Sequence, residues 1–197
     1  MTIRVGILLF DEVEVLDAAG PFEVFAVAGR ITALDADGPA FEVVTIGAHG
    51  HRPVVARHGL PFVASHTLES APPLDLLVVP GGVTTAAEAD AALIGWIAAR
   101  SGTATIASVC TGAFLLAAAG ILTDQAVTTH GEDQAELARR YPALTVVDGQ
   151  RWVRAGHVYT SGGISAGLDL SVQLIADLVS PELAERTARQ MEYTPAS

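Results

Sequence analysis

The chain holds one cysteine, no lysine and no asparagine in 197 residues. A lone cysteine forms no internal disulfide, so the fold must stand on its core, and a reducing cytoplasm is the expected location. The lack of lysine excludes Schiff-base catalysis, a lysine-anchored pyridoxal phosphate and a P-loop. The lack of asparagine excludes N-glycosylation and means that any oxyanion hole must use other donors. Basic runs are also missing: the longest is Arg139-Arg140 in a chain of net charge −11. Nothing there neutralises a phosphate backbone, so no nucleic-acid partner is expected. No uninterrupted apolar run reaches the ~20 residues of a membrane span, and Met1 to Val5 passes straight into a strand pattern without a signal-peptide layout. What the chain has in quantity is apolar surface, at 50% of residues, enough for a substantial core. No repeat or low-complexity linker divides it, and residues 1–197 read as a single domain.

Strands and helices alternate. Ile3 to Phe10, Phe41 to Ile46, Leu74 to Val79 and Thr103 to Val109 are apolar runs of the kind buried on both faces of a parallel sheet. Helices are predicted over Phe22 to Ala28, with Pro21 in the first turn, and over Ala91 to Ala99, Ala113 to Ala119 and Glu132 to Tyr141. Two more are predicted from Ile164 to Leu178 and from Pro181 until Tyr193. Residues 48–73 suggest short strands and loops. Short strands are predicted at Val127 to Thr129, ending at His130, and at Leu144 to Val147, Trp152 to Arg154 and Val158 to Thr160. The pattern predicts an α/β fold, a mostly parallel sheet sandwiched by helices. In such sheets ligands bind off the carboxyl ends of the strands, where Asp11 to Asp17, Pro80 to Gly82, Cys110-Thr111 and His130 all fall.

Cys110 lies where an apolar strand run gives way to a helical run, between small residues. That is the layout of a nucleophile elbow. The helix start favours thiolate, the nucleophilic form; the competing reading is a buried cysteine acting as a small hydrophobe. Gly81 and Gly82 end a buried strand. They form either a plain tight turn or a backbone brought close to substrate, with the Gly82 and Thr111 N–H groups as oxyanion donors. Asp17 is either an N-terminal helix cap or, beside Cys110, a general acid–base whose protonated carboxyl donates to sulfur. His130 either exchanges protons and orients the thiolate or simply lines a pocket or the core. His49, His51, His58 and His66 lack the spacing of a metal site and read as solvated loop residues.

These segments together resemble the ThiJ/PfpI superfamily, with its flavodoxin-like, class I glutamine-amidotransferase-like fold. The resemblance rests on Val5 to Phe10, Leu16 to Phe25, Val79-Pro80-Gly81-Gly82, Ser108 to Ala113, Thr128-Thr129-His130, Thr160 to Asp169 and Met191-Glu192-Tyr193. The Leu-Asp-x-x-Gly-Pro motif at Asp17, the threonine after Cys110 and the Met-Glu-Tyr ending are similar to the isonitrile hydratase branch. Thr111 stands where the protease-like branch has histidine, which argues against peptidase activity. Asp17 stands where the deglycase and glyoxalase-like branch has glutamate. Gly131 stands where many relatives carry tryptophan, implying a more open pocket wall. The sensor domains of AraC-type regulators precede a DNA-binding helical domain, for which this sequence leaves no room.

The resemblance implies cysteine-dependent hydration of an isonitrile to an N-substituted formamide. Cys110, Asp17 and Thr111 would be catalytic, with Gly81, Gly82 and His130 binding substrate. A homodimer is implied, with a small-molecule substrate and no cofactor, metal or membrane partner. The alternatives are another cysteine-dependent activity of the superfamily, namely glyoxalase, deglycase or amidase, or a non-catalytic ligand or oxidative-stress sensor.

Overall fold

A computed structural model describes residues 2–34 and 38–196. In chain order the elements are β1 (Ile3–Leu9), α1 (Val15–Ala33), β2 (Phe41–Gly47), β3 (Val54–Val55), β4 (Pro61–Phe62), β5 (His66–Thr67), β6 (Leu76–Val79), α2 (Thr85–Ala89) and α3 (Ala91–Ala98). There follow β7 (Thr105–Val109), α4 (Gly112–Ala118), β8 (Ala126–Val127), α5 (Gln134–Arg140), β9 (Thr145–Val146), β10 (Trp152–Ala155), β11 (Val158–Ser161), α6 (Ala166–Leu178) and α7 (Pro181–Gln190).

The main sheet runs β10-β11-β7-β6-β1-β2-β5. Every neighbouring pair is parallel except the β10–β11 hairpin at one edge. Continuous apolar runs suit this topology, because helices flank the sheet and leave no wet face. All four residues of β6 and all five of β7 are buried. α1, α6 and α7 pack on one another, while α2 and α3 pack with α4. From β1 the chain steps to β2 on one side and later returns to β6 on the other. The crevice at the carboxyl ends of β1, β6 and β7 is therefore the switch point where such folds bind ligands. No helix among the described residues is long and apolar enough to cross a membrane.

Several boundaries differ from the sequence pattern. α1 begins at Val15, and Pro21 lies inside it rather than in its first turn. Proline removes the N–H that would meet the Asp17 carbonyl, yet packing keeps the helix whole, with Val24 and Phe25 fully buried. The predicted strand at Val127 is reduced to β8, which pairs with β9 outside the main sheet. α6 starts at Ala166, two residues later than predicted, because Ile164 is in the left-handed region at φ +55°.

Candidate active site

Cys110 follows β7 directly and has φ +56°, the strained corner of a nucleophile elbow. A non-glycine residue there costs about 1–3 kcal/mol and needs its surroundings to hold it. The Cys110 N–H donates to the carbonyls of Ser161, at 3.1 Å, and Gly162, at 3.2 Å. Its carbonyl accepts from Thr129 Oγ1 at 2.8 Å. Two residues on, α4 starts so close to the end of β6 that a Cβ on Gly112 would lie 2.1 Å from the Val79 carbonyl oxygen. Only glycine allows that approach. The thiol is 6% exposed, at the floor of a cleft.

Asp17 sits in the first turn of α1 and is fully buried. It does not cap that helix: the N-cap position is Glu14, and Asp17 Oδ2 instead accepts from the Gly81 N–H at 3.2 Å. Its Oδ1 has no hydrogen-bond partner. Burial pushes the carboxyl up from 3.8 to about 6, against the Gly81 N–H and the Cys110 thiol, which favour the anion; the charge of Glu14 adds to the rise.

The thiol moves in the direction opposite to the sequence expectation. Burial, and then the Asp17 charge, push Cys110 up to about 12, although the Thr111 N–H and hydroxyl favour the anion. A seven-residue α4 does not outweigh a dry site with a carboxylate in it. Near neutrality the pair is therefore a thiol beside a carboxylate, with the proton on sulfur rather than on Asp17.

The two glycines also differ from expectation. The Gly81 N–H is engaged by Asp17, and the Gly82 N–H donates to Thr111 Oγ1 at 2.8 Å. That hydroxyl returns a 2.8 Å bond to the Gly82 carbonyl, clamping the end of β6 to the elbow. Gly81 and Gly82 thus hold Asp17 and Thr111 in place, and neither N–H is a free oxyanion donor. The Thr111 N–H remains beside the sulfur.

His130 lines the cleft with Cys110, Thr111 and Gly82. Its Nδ1 accepts from the Glu132 N–H at 3.3 Å and lies 3.4 Å from Asp133 Oδ2. The ring lies so tightly on Gly163 that a Cβ there would come 2.0 Å from Cδ2. Five lining residues escape sequence reasoning as site residues: Glu14, Arg57, which pairs with it at 3.2 Å, Glu132, Asp133 and Ile164. Arg57 sits in a segment without a motif, nothing marks Glu14 out within Asp11 to Asp17, Glu132 and Asp133 read as the polar start of a helix, and a β-branched residue gives no hint of a left-handed turn. The cleft is about 120 Å³. Of the loop histidines, His49 faces Asp11 at 3.8 Å. Among the described residues, no three His, Cys, Asp or Glu side chains gather as a metal ion would require.

An elbow cysteine and a buried carboxylate at the switch point of a parallel sheet define a cysteine-centred α/β protein. The chain belongs to the DJ-1/PfpI family, whose pattern matches residues 3–177. It is 34% identical over its whole length to the isonitrile hydratase of Pseudomonas putida, covering 81% of that protein. It is 32% identical over 70% of its length to the HTH-type transcriptional regulator CdhR of Pseudomonas aeruginosa, but spans only 41% of that regulator. Among solved structures, a ThiJ/PfpI family protein from Pseudomonas syringae superposes with a TM-score of 0.86 at 28% identity, over all of this chain and 77% of that one. Drosophila melanogaster DJ-1beta shares the fold, with a TM-score of 0.85 at 18% identity, over 98% of this chain and 100% of that one.

Proposed function

We propose that the protein hydrates small isonitriles to N-substituted formamides, with Cys110 as nucleophile and Asp17 as proton carrier. One observation carries the reading: a fully buried carboxylate, half-satisfied in hydrogen bonds, set against the sole thiol. The relative named isonitrile hydratase gives the substrate class. As the sulfur bonds to the terminal carbon of R–N≡C, Asp17 takes the thiol proton and passes it to that carbon. The product is the thioimidate R–N=CH–S–Cys110. Asp17 then removes a proton from an attacking water. The nitrogen gains a proton, and the C–S bond breaks to give R–NH–CHO and a thiolate, which is reprotonated. Covalent catalysis divides one hard addition into two easier steps.

The engaged glycine N–H groups favour this chemistry over acyl transfer. Thiol addition to an isonitrile develops charge at carbon, next to the Asp17 proton. An amidase must instead stabilise an oxyanion, and here the N–H groups of Gly81 and Gly82 are already in use. Thr111 contributes its clamp and its N–H beside the sulfur, and His130 lines the substrate path. The enzyme reads as cytoplasmic, one domain and homodimeric. Phe22 and Val63, exposed at 38% and 78%, line one apolar depression with Ala19 and Phe62 and are the surface offered for the dimer; a monomer in sedimentation at low micromolar concentration would refute that.

The test is formamide appearance, followed by NMR, when a small alkyl isonitrile is incubated with wild-type protein and with Cys110→Ala. Product from the wild type alone supports the reading. No product from a folded wild type whose thiol can be alkylated overturns it, and so does product from Cys110→Ala. In the first of these outcomes a ligand-sensing role, of the kind suggested by relatives named as regulators, takes its place.

A further inference from the structure

The turn that forms one lip of the cleft is held from behind. Ile164 has φ +55°, is 41% exposed and lines the cleft. A β-branched residue adopts that backbone only where its surroundings impose it. Arg151, just before β10, grips both sides of the turn. Its carbonyl accepts the Gly162 N–H at 2.9 Å, and its Nη2 donates to Ser165 Oγ at 3.3 Å. Its guanidinium donates through Nε to Asp169 Oδ2 at 2.7 Å and through Nη2 to the same oxygen. Asp169, on α6, has a side chain only 2% exposed. Its other oxygen accepts from the Tyr193 hydroxyl at 2.5 Å and from the Ala196 N–H at 3.0 Å. A buried carboxylate engaged on both oxygens by charged and hydroxyl donors fixes its partners firmly.

This turn touches the chemistry through several groups. The Ser161 and Gly162 carbonyls receive the Cys110 N–H. Gly163 seats the His130 ring. The Ile164 N–H acts on the Asp17 carboxyl in favour of the anion. None of Arg151, Asp169 and Tyr193 lines the cleft.

We propose that Tyr193, Asp169 and Arg151 form a brace that locks Ile164 into its left-handed turn, making them positioning residues for the Asp17–Cys110 pair. The inference rests on Asp17 as the proton carrier and not on the identity of the electrophile. When the brace loosens, Ile164 relaxes toward negative φ, and the turn carries with it the carbonyls that hold the Cys110 N–H and the seat of the His130 ring; the influence of the Ile164 N–H in favour of the Asp17 anion weakens in the same movement. The groups facing Asp17 from other elements stay in place: the Gly81 N–H, and Glu14 with its partner Arg57. Glu132 and Asp133 face it from across the cleft, beside His130, whose ring moves with its Gly163 seat.

The experiment is the rate of Cys110 alkylation by iodoacetamide against pH, in full-length protein, which reads the pair without needing isonitrile turnover. Tyr193→Phe should move the acid limb to higher pH and lower the rate several-fold near pH 6, with a cooperative melt retained. Arg151→Lys should do the same, and it decides the matter if Tyr193→Phe does not fold. In an Ile164→Gly background, where the left-handed turn is unstrained, Tyr193→Phe should have no further effect. A tyrosine that merely supports the fold would not show that coupling. The brace is refuted if the profile is unchanged in a folded variant, or if it shifts equally with glycine at position 164. Failure to hydrate isonitriles leaves this result standing, so the two proposals fail separately.

Discussion

Replacing Asp17 with asparagine should remove turnover and raise stability together. Asparagine keeps the shape and can still accept from the Gly81 N–H, but it takes no proton. Loss of a positioned proton carrier costs about 100-fold to 10,000-fold, so kcat for formamide formation should fall by that much. The stability change follows from the carboxyl's rise from 3.8 to about 6, which corresponds to about 3 kcal/mol in favour of the protonated form on folding. Because the folded value is the higher one, that stabilisation is complete below the unfolded value and is lost as pH rises through about 6. Above it, the native protein carries a buried anion with one unpartnered oxygen. At mildly alkaline pH, Asp17→Asn should therefore gain up to about 3 kcal/mol and melt several degrees higher, while at strongly acid pH the two proteins should melt together. Removing the charge also lets the thiol fall from about 12, so alkylation at alkaline pH should speed up. Calorimetry and single-turnover kinetics on one preparation decide it. Near wild-type kcat, or a lower melting point at alkaline pH, would show that Asp17 serves structure and that the proton assignment is wrong.

Wild-type turnover and alkylation should both rise with pH through about 6, as Asp17 ionises. A rise only near the ordinary thiol value of 9.0 would mean that Cys110 ionises alone. Gly112→Ala should drive a methyl into the Val79 carbonyl and destabilise by about 1–3 kcal/mol or more; an unchanged denaturation midpoint would contradict that close approach. His130→Ala should lower kcat by less than about 100-fold, a smaller loss than for Asp17→Asn. If the folded variant is as inactive as Cys110→Ala, the working unit is a cysteine–histidine pair.

Local pattern makes part of this architecture legible. The run Ile3 to Phe10 is typical of a strand covered on both faces, and the change from β7 to α4 around Cys110 marks the elbow in the sequence itself. Pro21 hides the start of α1, because a proline in an apolar segment signals a helix beginning, whereas the helical backbone already runs from Val15. The five-residue α2 has no periodicity to detect. The direction of the thiol's shift depends on burial and on a carboxylate 93 residues earlier in the chain, neither of which a helix-start argument contains. Likewise, the spacing of Gly81 and Gly82 indicates close backbone approach but not which acceptors their N–H groups find.

The site is assembled from β-strand ends spread along the chain, with Asp17 after β1, Gly81 after β6, Cys110 after β7 and Ile164 after β11. No short fragment contains it, and the pairings that bring it together include the non-local contacts that slow the folding of parallel sheets. Assembly of the site is thus expected to come late in folding. Because Cys110 is the sole cysteine, the regaining of its buried-pair reactivity during refolding, timed against far-UV signal, would mark when the last strand docks.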